Sequence, residues 1–302
     1  MLSCGIVILN YNTADTTVEL YQRIIKENIF DKIVIIDNAS TDNSVDIIEK
    51  IVIQNEDVLF VKLNENTGYA KGNNVGLRIL CEKMLVDICY ICNPDVFFEK
   101  ELIYEMQKLY EKYLDYGVIT SIRTDEFNKN TIRQYWEIPT FKTELMHCFY
   151  IGQKLNKMRD IMTIDDNNKK KVLHEIPLSP GAFFSIRSSL AKTIGYLDSN
   201  TFLYYEESCL AVKVKFYGYK IGIYSGRNYY TYRNRSSTQN MKNTEFVSSC
   251  QMDSREYFLK KYLCINRIKR IVFSLLKKYS RFETMMLLFI KRLLVKLKYL
   301  GD

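Results

Sequence analysis

The sequence contains few of the residues that break regular structure: glycine and proline account for 12 and 4 of its 302 residues. This scarcity excludes a collagen-like or low-complexity chain. Two fingerprints of nucleotide-binding folds are also missing, since no G-x-G-x-x-G follows the first apolar run and no G-x-x-x-x-G-K-[ST] occurs anywhere. Dinucleotide-dependent oxidoreductases and P-loop enzymes are therefore poor fits. The 47% of apolar residues nevertheless allow a sizeable core.

Signals for metal clusters and membrane spans are equally sparse. The two histidines, His147 and His174, have no metal or triad spacing, and we interpret both as structural. Cys89 and Cys92 form a C-x-x-C only formally, because they lie in a predicted buried strand and no second pair completes a zinc site. The eight cysteines indicate reduced core residues of a cytoplasmic protein. No run reaches the roughly 18 apolar residues of a spanning helix, and the N-terminus lacks a signal-peptide pattern.

Positive charge is concentrated at the end of the chain. The net charge is +8, but residues 257–302 hold twelve Lys and Arg and two acids, which makes that segment +10 and leaves −2 for the rest. Apolar residues recur there at helical spacing, from Ile268 to Tyr279 and again from Met286 to Leu297. The pattern predicts basic amphipathic helices over 251–302 that bind an anionic membrane surface. Core-packing helices with solvated lysines are the alternative. Nucleic-acid binding is not expected, because the segment has few aromatic residues arranged for stacking on bases and no known nucleic-acid motif.

The first part of the chain alternates apolar runs with helical patterns. The runs predict buried strands at residues 4–9, 33–36, 58–63 and about 86–92. The helical patterns extend to about residue 28, follow a cap at Ser40 or Thr41, and cover 71–85 and 101–113. This alternation predicts an α/β, Rossmann-like fold with a mostly parallel central sheet and helices on both faces. Residues 125–175 are polar and irregular, and form either an acceptor-side insertion or a variable surface.

Small polar residues follow each of the four predicted strands: Asn10 and Asn12, Asp37 and Asn38, Asn64 and Asn66, Asn93 and Asp95. Ligands bind at the carboxyl ends of strands in such sheets. Asp37 is suited to accept hydrogen bonds from a ribose or a base. The segment 64–74, NENTGYAKGNN, offers backbone N–H groups and close approach to a ligand. Asp95 follows a proline between two apolar runs, and its carboxylate suits Mg²⁺ or Mn²⁺ shared with substrate phosphates.

An ordered set of motifs connects these residues to a known family. They are GIVILNYNTADTT, IVIIDNASTDNS, NENTGYAKGNNVGLR, NPDVFF and SPGAFFSIRSSLAKTIGYLDSNTFLYYEESCLAVKVKFYGYKIGI, and they span about residues 3–237. In this order they resemble the family 2 glycosyltransferases of the GT-A fold group, most of all the branch of bacterial rhamnosyltransferases and related cell-surface polysaccharide enzymes. The resemblance implies a GT-A domain over 1–250, with a nucleotide-sugar-binding half (1–98) and an acceptor-side half (99–250). The basic helical tail at 251–302 follows it.

The resemblance also implies roles for individual residues. Asp95 takes the place of the metal-binding carboxylate of the family's D-x-D motif, with Asn93 in place of the first acid. Glu207 aligns with the usual Asp of an acid pair and becomes the general base, with Glu206 as its neighbour or substitute. Aromatic residues beside this pair favour a raised pKa. Taken together with the polar residues at the strand ends, the predicted donor-binding residues are Asn10, Asn12, Asp37, Asn66, Gly68, Asn73, Asn93 and Arg235, the last as a charge-paired contact with the diphosphate.

The predicted function is inverting, metal-assisted transfer of a sugar from a dTDP- or UDP-sugar to a growing, lipid-linked bacterial surface polysaccharide. The enzyme is predicted to be peripheral on the inner face of the cell membrane. Two departures from the family pattern weaken this: Cys209 replaces a further acid, and Tyr232 stands near the place of a histidine. A catalytically weak nucleotide-sugar-binding scaffold at the membrane is therefore the alternative. A nucleotidyltransferase fits less well, because the chain has Asn10-Tyr11-Asn12 where a glycine- and arginine-rich phosphate loop is expected.

Overall fold

A computed structural model describes residues 1–52, 56–125, 134–149, 172–232 and 244–299 of the chain. The chain forms two compact units. The first comprises residues 1–138 and 162–254, and the second comprises residues 139–161 and 255–302. The boundary that we predict from the sequence, between residues 250 and 251, falls inside a helix and stays a prediction.

A mixed β-sheet forms the frame of the first unit. Its strands are β1 (Cys4–Asn10), β2 (Lys32–Asp37), β3 (Val58–Lys62), β4 (Ile88–Cys92), β5 (Val96–Phe97), β6 (Tyr116–Asp125), β7 (Leu173–Ile176), β8 (Phe183–Arg187) and β9 (Lys220–Thr231). They lie in the order β3-β2-β1-β4-β8-β6-β9-β5, and β7 also pairs with β9. Parallel pairing joins β1 to β2 and β4, β2 to β3, and β6 to β9. Strand β8 is antiparallel to both β4 and β6.

Helices cover both faces of this sheet. In chain order the helices are α1 (Ala14–Glu27), α2 (Ser44–Ile51), α3 (Gly68–Arg78), α4 (Lys100–Lys112), α5 (Phe141–Met146), α6 (Ser188–Thr193), α7 (Glu206–Phe216), α8 (Thr244–Lys261) and α9 (Arg267–Tyr299). Those that pack against the sheet are α1 to α4, α6 and α7. Alternate strand residues enter two separate apolar clusters. Ile6 and Ile8 pack with residues of α1, α2 and α4, whereas Val7 packs with residues of α3, α6 and α7. The predicted α/β fold with helices on both faces is confirmed.

The second unit has a small core of its own. Cys148, Leu259, Ile265 and Phe273 are buried together. Beside them, Arg255 Nε lies 2.8 Å from Glu144 Oε2 in an ion pair whose two side chains are both buried. Helix α9 is 33 residues long and packs one side on this core. In the described part of the chain, no helix combines the length and the apolar character that crossing a bilayer requires.

The start of α2 differs from the sequence prediction. Ser40 and Thr41 do not cap this helix, which begins at Ser44 and has no side-chain cap. The reason is that both side chains bond to other loops: Ser40 Oγ donates to Asp37, and Thr41 Oγ1 accepts from Asn12. The prediction of a cap at Ser40 or Thr41 is therefore wrong. All of the described cysteines but Cys264 are buried, in keeping with core residues.

Candidate active site

The carboxyl ends of β1 to β4 meet at one edge of the sheet, as the alternating pattern predicts. Asn10 and Asp37, the last residues of β1 and β2, are direct neighbours in the ladder. Strand β4 lies on the other side of β1 and leads into the turn formed by Asn93, Pro94 and Asp95. We call this rim, with the loops that follow the four strands, the sheet edge.

Asn10 and Asp37 form a closed network at the sheet edge. The Asn10 carboxamide donates to Asp37 Oδ2 at 2.7 Å and to Ser40 Oγ at 3.1 Å, and its oxygen accepts from the hydroxyls of Thr13 and Thr17. Asp37 also accepts from the backbone N–H of Ser40 at 2.9 Å. Asn10 is fully buried and uses its whole hydrogen-bonding capacity within the protein. Its side chain therefore holds Asp37 and the Ser40 loop in place, and a direct contact with a donor stays a prediction.

Asn12 connects the loops after β1 and β2. Its backbone lies in the left-handed region, with φ 56°, a conformation that Asn tolerates better than most residues. Its N–H donates to Ser40 Oγ at 3.0 Å, and its Oδ1 accepts from the Thr41 N–H at 2.8 Å. Asn12 thus shapes this loop pair, and its direct contact with a donor stays a prediction.

Asn66 and Gly68 belong to the loop that opens α3. Asn66 Oδ1 accepts from Asn38 Nδ2 and from the Gly68 N–H, both at 3.0 Å. Gly68 has φ 80°, and a Cβ there would lie 2.9 Å from the Cα of Phe202. The next residue, Tyr69, donates its N–H to the carbonyl of Phe202 at 2.9 Å. Only glycine satisfies both the left-handed backbone and this close approach.

Asn73 and Asn74 lie inside α3. Asn73 is fully buried; its Nδ2 donates to the Tyr69 carbonyl at 3.0 Å, and its Oδ1 has no hydrogen-bond partner among the described residues. Asn74 bonds to the backbone of Leu197 through both ends of its carboxamide. Asn74 therefore joins the donor-side loop to the second half of the domain, while donor contact by Asn73 stays a prediction.

Asp95 is held in a tight turn at the end of β4. The N–H of Asn93 donates to the Ala182 carbonyl at 2.9 Å, and its carbonyl accepts from the Val96 N–H at 3.2 Å. Val96 pairs with Thr231 of β9, so the N–H of Tyr232 reaches the Asp95 carbonyl at 3.1 Å. Tyr232, which stands near the place of a histidine in the family pattern, therefore lies directly beside the predicted metal ligand. Arg235, a predicted donor contact, lies outside the described residues.

The Asp95 carboxylate is almost fully buried, at 7% exposure. Burial raises its pKa, while its own backbone N–H and the positive charge of Arg123 act in the opposite direction. Among the residues that the structure describes, no three His, Cys, Asp or Glu side chains form a metal-binding group. The Asp95 carboxylate is a hard oxygen ligand, and it has no ion-pair partner in the described chain. It fits a cation whose remaining ligands come from a bound diphosphate and water. Asn93 is the second oxygen-bearing side chain of this turn.

Glu206 and Glu207 open α7 next to β8. The preceding Tyr204 and Tyr205 both have left-handed backbones, with φ 68° and 69°, which is uncommon for bulky residues and concentrates strain at this point. Glu206 is buried, and its Oε1 has no hydrogen-bond partner among the described residues. Burial and the charge of Glu207 raise the pKa of Glu206 well above its usual range. The resulting carboxyl pair has the perturbed acidity expected of a catalytic acid or base.

Glu207 is half-buried and lies against Gly181. Burial raises its pKa, whereas hydrogen bonds from its own N–H and from the Gly181 N–H favour the charged form. An added Cβ at Gly181 would lie 3.0 Å from Glu207 Cδ and closer still to Oε1. The carboxylate therefore occupies the space that a glycine leaves open.

Tyr69 and Tyr229 lie close to these carboxyl groups. The Tyr69 hydroxyl donates to the Gly181 carbonyl at 2.5 Å. Burial raises the pKa of Tyr69 most, and the charges of Glu207 and Glu206 raise it further. Tyr229 adds a smaller effect in the same direction. Tyr229 is fully buried, and its pKa is raised by burial and influenced by Arg123 and Asp95. The structure thus brings the predicted metal ligand and the predicted base to the same part of the sheet edge.

Four residues of this region have no individual role in the sequence prediction: Tyr69, Arg123, Gly181 and Tyr229. Arg123 lies on β6, and the run VITSI before it is a strand signal that could have located this residue. Its Nε is buried without a hydrogen-bond partner in the described chain. The two histidines lie elsewhere, since His147 contacts Glu144 in the second unit and His174 pairs with Ser225.

Comparison with known proteins agrees with these observations. The sequence profile described as glycosyl transferase family 2 matches residues 5–195. Low-salt glycan biosynthesis hexosyltransferase Agl10 of Haloferax volcanii is 27% identical over 203 residues, which are 67% of this chain and 58% of Agl10. Glycosyltransferase GlyG of Streptococcus pneumoniae serotype 4 is 23% identical over 224 residues, which are 70% of this chain and 73% of GlyG.

A solved structure shares the fold. The crystal structure of GalNAc-T7 with UDP, GalNAc and Mn²⁺ superposes with a TM-score of 0.60 at 13% identity, covering 86% of this chain and 48% of that chain. At this identity the likeness shows a common fold alone. The chain spans less than two thirds of the length of both Agl10 and GalNAc-T7.

Proposed function

The chain belongs to glycosyl transferase family 2, and we propose that it transfers a sugar from a nucleotide-sugar donor to an acceptor hydroxyl. One observation carries this proposal: the sheet edge brings together a buried Asp95 and the Glu206–Glu207 pair. The turn of Asp95 bonds through the Asn93 N–H to Ala182, and the N–H of the neighbouring Gly181 bonds to Glu207. Sugar transfer requires these two functions, stabilisation of a leaving diphosphate and removal of a proton from the attacking hydroxyl.

The donor lies on the side of Asp37 and Asp95 in this proposal. Asp37 is fixed by Asn10 and Ser40 and faces the nucleoside, while the Asn66–Asn74 loop borders the base. Asp95, with Asn93, holds Mg²⁺ or Mn²⁺, a choice supported by their hard oxygen atoms. That ion, when bound, neutralises charge on the diphosphate. A dTDP- or UDP-sugar is the proposed donor, and Arg235 is its further proposed contact.

Arg123 is a further diphosphate ligand in this proposal. Arg123 lies opposite Tyr229 of β9, two residues before the Thr231 that pairs with Val96, and its positive charge acts against the burial that raises the pKa of Asp95. The observation that supports this role is its buried Nε, which has no hydrogen-bond partner among the described residues. A guanidinium pairs well with phosphate oxygens because its N–H groups form a rigid fork.

Glu207 is the general base. Its raised pKa suits it to accept the proton of an acceptor hydroxyl, and the Gly181 N–H keeps the carboxylate oriented. As this proton moves to Glu207, the acceptor oxygen bonds to the anomeric carbon while the bond to the diphosphate breaks on the opposite side. The configuration at that carbon is therefore inverted. Glu206 stays neutral beside it because burial and the neighbouring charge disfavour its ionisation.

The proposed acceptor is a glycan, in particular a growing, lipid-linked surface polysaccharide of the cell envelope. The word "glycan" in the name of Agl10 supports the general class, and the basic tail supports a lipid-linked form. An enzyme that extends such an acceptor works best as a peripheral protein on the inner face of the cell membrane. Nucleic acid is not a proposed partner.

The test measures binding and turnover separately. Thermal shift with UDP, dTDP and GDP, with and without Mn²⁺, should show a metal-dependent shift for one nucleotide that Asp95→Ala abolishes. With the matching donor sugar and an acceptor series, wild type should form product of inverted configuration by NMR. Glu207→Gln should retain only residual product formation but keep donor binding, and Glu56→Gln, at an exposed acid before β3, should match wild type. Donor binding without any turnover in wild type would instead identify a nucleotide-sugar-binding scaffold.

A further inference from the structure

Over the part of α9 whose side chains the structure describes, one apolar face packs into the core of the second unit and another is largely exposed. Phe273 is buried in the core of that unit, with Leu276 packed partly against it, and Ser280 lies on the same face at 5% exposure. Ile268, Leu275 and Phe282 are 72%, 62% and 57% exposed. A helix advances 100° per residue, so these three positions, seven residues apart, share a face that points away from Phe273.

The exposed face is continuous over the part of α9 whose side chains the structure describes. Further large apolar side chains lie on or beside this face and are exposed: Ile271, Val272, Tyr279, Met285 and Met286. Such a contiguous apolar stripe on a protein surface marks a contact with another apolar phase. We call these residues, together with Ile268, Leu275 and Phe282, the outer stripe.

Positive charge accompanies the outer stripe. Arg267, Lys269, Arg270 and Lys278 are exposed along the same helix. Lys269 lies over the ring of Phe141, and Lys277 pairs with Glu256, so part of the charge is oriented by the unit's own residues. Residues 257–302 carry twelve Lys and Arg against two acids.

We propose that the outer stripe lies on an anionic lipid surface, with α9 in the plane of the interface. This inference rests on the proposed membrane placement and names the surface that performs it. Exposed apolar side chains enter the acyl boundary while neighbouring Lys and Arg contact anionic headgroups. A second copy of the chain is the less favourable occupant, because stripe-to-stripe contact would bring together two segments of charge +10.

The experiment measures sedimentation of the full chain with vesicles of phosphatidylcholine, with and without phosphatidylglycerol. Wild type should sediment with the anionic vesicles, and high salt should weaken this binding. The double variant Leu275→Glu/Phe282→Glu should bind at least about tenfold more weakly, since it removes two apolar side chains and adds two negative charges. The matched control is Leu114→Glu/Phe216→Glu, which changes two side chains of the first unit that are 71% and 81% exposed. It should bind like wild type.

Three results would overturn the proposal: no binding of wild type to anionic vesicles, equal binding by the two double variants, or a solution dimer in ultracentrifugation that only the α9 variant dissociates. Circular dichroism and nucleotide thermal shift on all variants show whether they are folded. A chain that binds nucleotide but not lipid would contradict only this inference, whereas loss of nucleotide response in wild type would contradict the proposed function.

Discussion

Substituting Gly181 with alanine tests the proposed base most directly. A Cβ at Gly181 would lie 3.0 Å from Glu207 Cδ and 3.2 Å from its Cγ, and closer still to Oε1. Carbon atoms in ordinary contact lie about 3.5–4.0 Å apart, so the carboxylate has to move by roughly 0.5–1 Å. The clashing atoms are the far end of a flexible side chain, so we expect the backbone to stay in place.

The expected effect is on turnover and not on folding. A displacement of about 1 Å at a catalytic group costs about 100-fold in rate, equivalent to about 2.7 kcal/mol of activation free energy. Donor affinity should change little, because the nucleoside contacts proposed for Asp37 are at a separate point of the sheet edge. The melting temperature should stay near that of wild type, since a rotamer change of one half-buried side chain relieves the clash.

Steady-state kinetics of a double-mutant cycle test whether Gly181→Ala acts through the Glu207 carboxylate. If Gly181→Ala acts through the carboxylate, it should cost nothing further in a Glu207→Gln background. Gly222→Ala is the matched control, because a Cβ there meets Leu173 and Tyr116 inside the sheet; it should lower stability without a selective loss of kcat. Equal losses from Gly181→Ala in both backgrounds would refute the reasoning, because the methyl group would then act by another route.

Further outcomes follow from the same contacts. The rate of transfer should rise with pH through a pKa above that of an ordinary glutamate, because Glu207 acts only when deprotonated and burial raises its pKa; a kcat–pH profile already flat above the ordinary range would contradict this. Glu206→Gln should stabilise the protein, and thermal unfolding should show a larger gain at pH 8 than at pH 5. The folded state holds the Glu206 proton more tightly than the unfolded state does. Wild-type stability therefore falls as pH rises from the unfolded-state pKa of Glu206 to its folded-state pKa. Arg123→Ala should weaken binding of the nucleoside diphosphate by about tenfold or more while sparing the nucleoside, as isothermal calorimetry can show, and equal effects on both would remove Arg123 from the diphosphate. Gly68→Ala should lower the free energy of unfolding by about 1–2 kcal/mol or more in denaturant titrations, because φ is 80° and the new Cβ would clash with Phe202. An unchanged free energy of unfolding would mean that the loop relaxes.

The strands of the first half could be predicted because their signal is local. Buried parallel strands are continuous apolar runs, and the four runs correspond to β1 to β4 with shifts of a few residues. Parallel strands then place Asn10 and Asp37 side by side whatever the rest of the chain does. By contrast, the α2 cap was mispredicted because Ser40 had two possible partners, and a contact with Asp37 was preferred over the helix terminus.

The later part of the site depends on contacts that sequence spacing does not encode. Strand β5 has only two residues and exists because Val96 pairs with Thr231, far along the chain. Arg123 lies near Asp95 because β6 joins the sheet between β8 and β9, an order that local patterns do not specify. Gly181 is similar: its importance comes from the side chain of Glu207 that fills its missing Cβ. A single motif such as GAFF gives no sign of that neighbour.

The two consecutive glutamates at the start of α7 are chemically unequal, and this inequality favours one base over a shared pair. Glu206 is buried with an oxygen that lacks a partner in the described chain, whereas Glu207 accepts the Gly181 N–H and reaches solvent. A proton taken up by the pair therefore resides on Glu206, where ionisation costs most. Glu207 then stays ionised without a like charge beside it. The second carboxyl thus supplies no second base, and a neutral Glu206 allows Glu207 to be half-buried without a larger rise in its pKa.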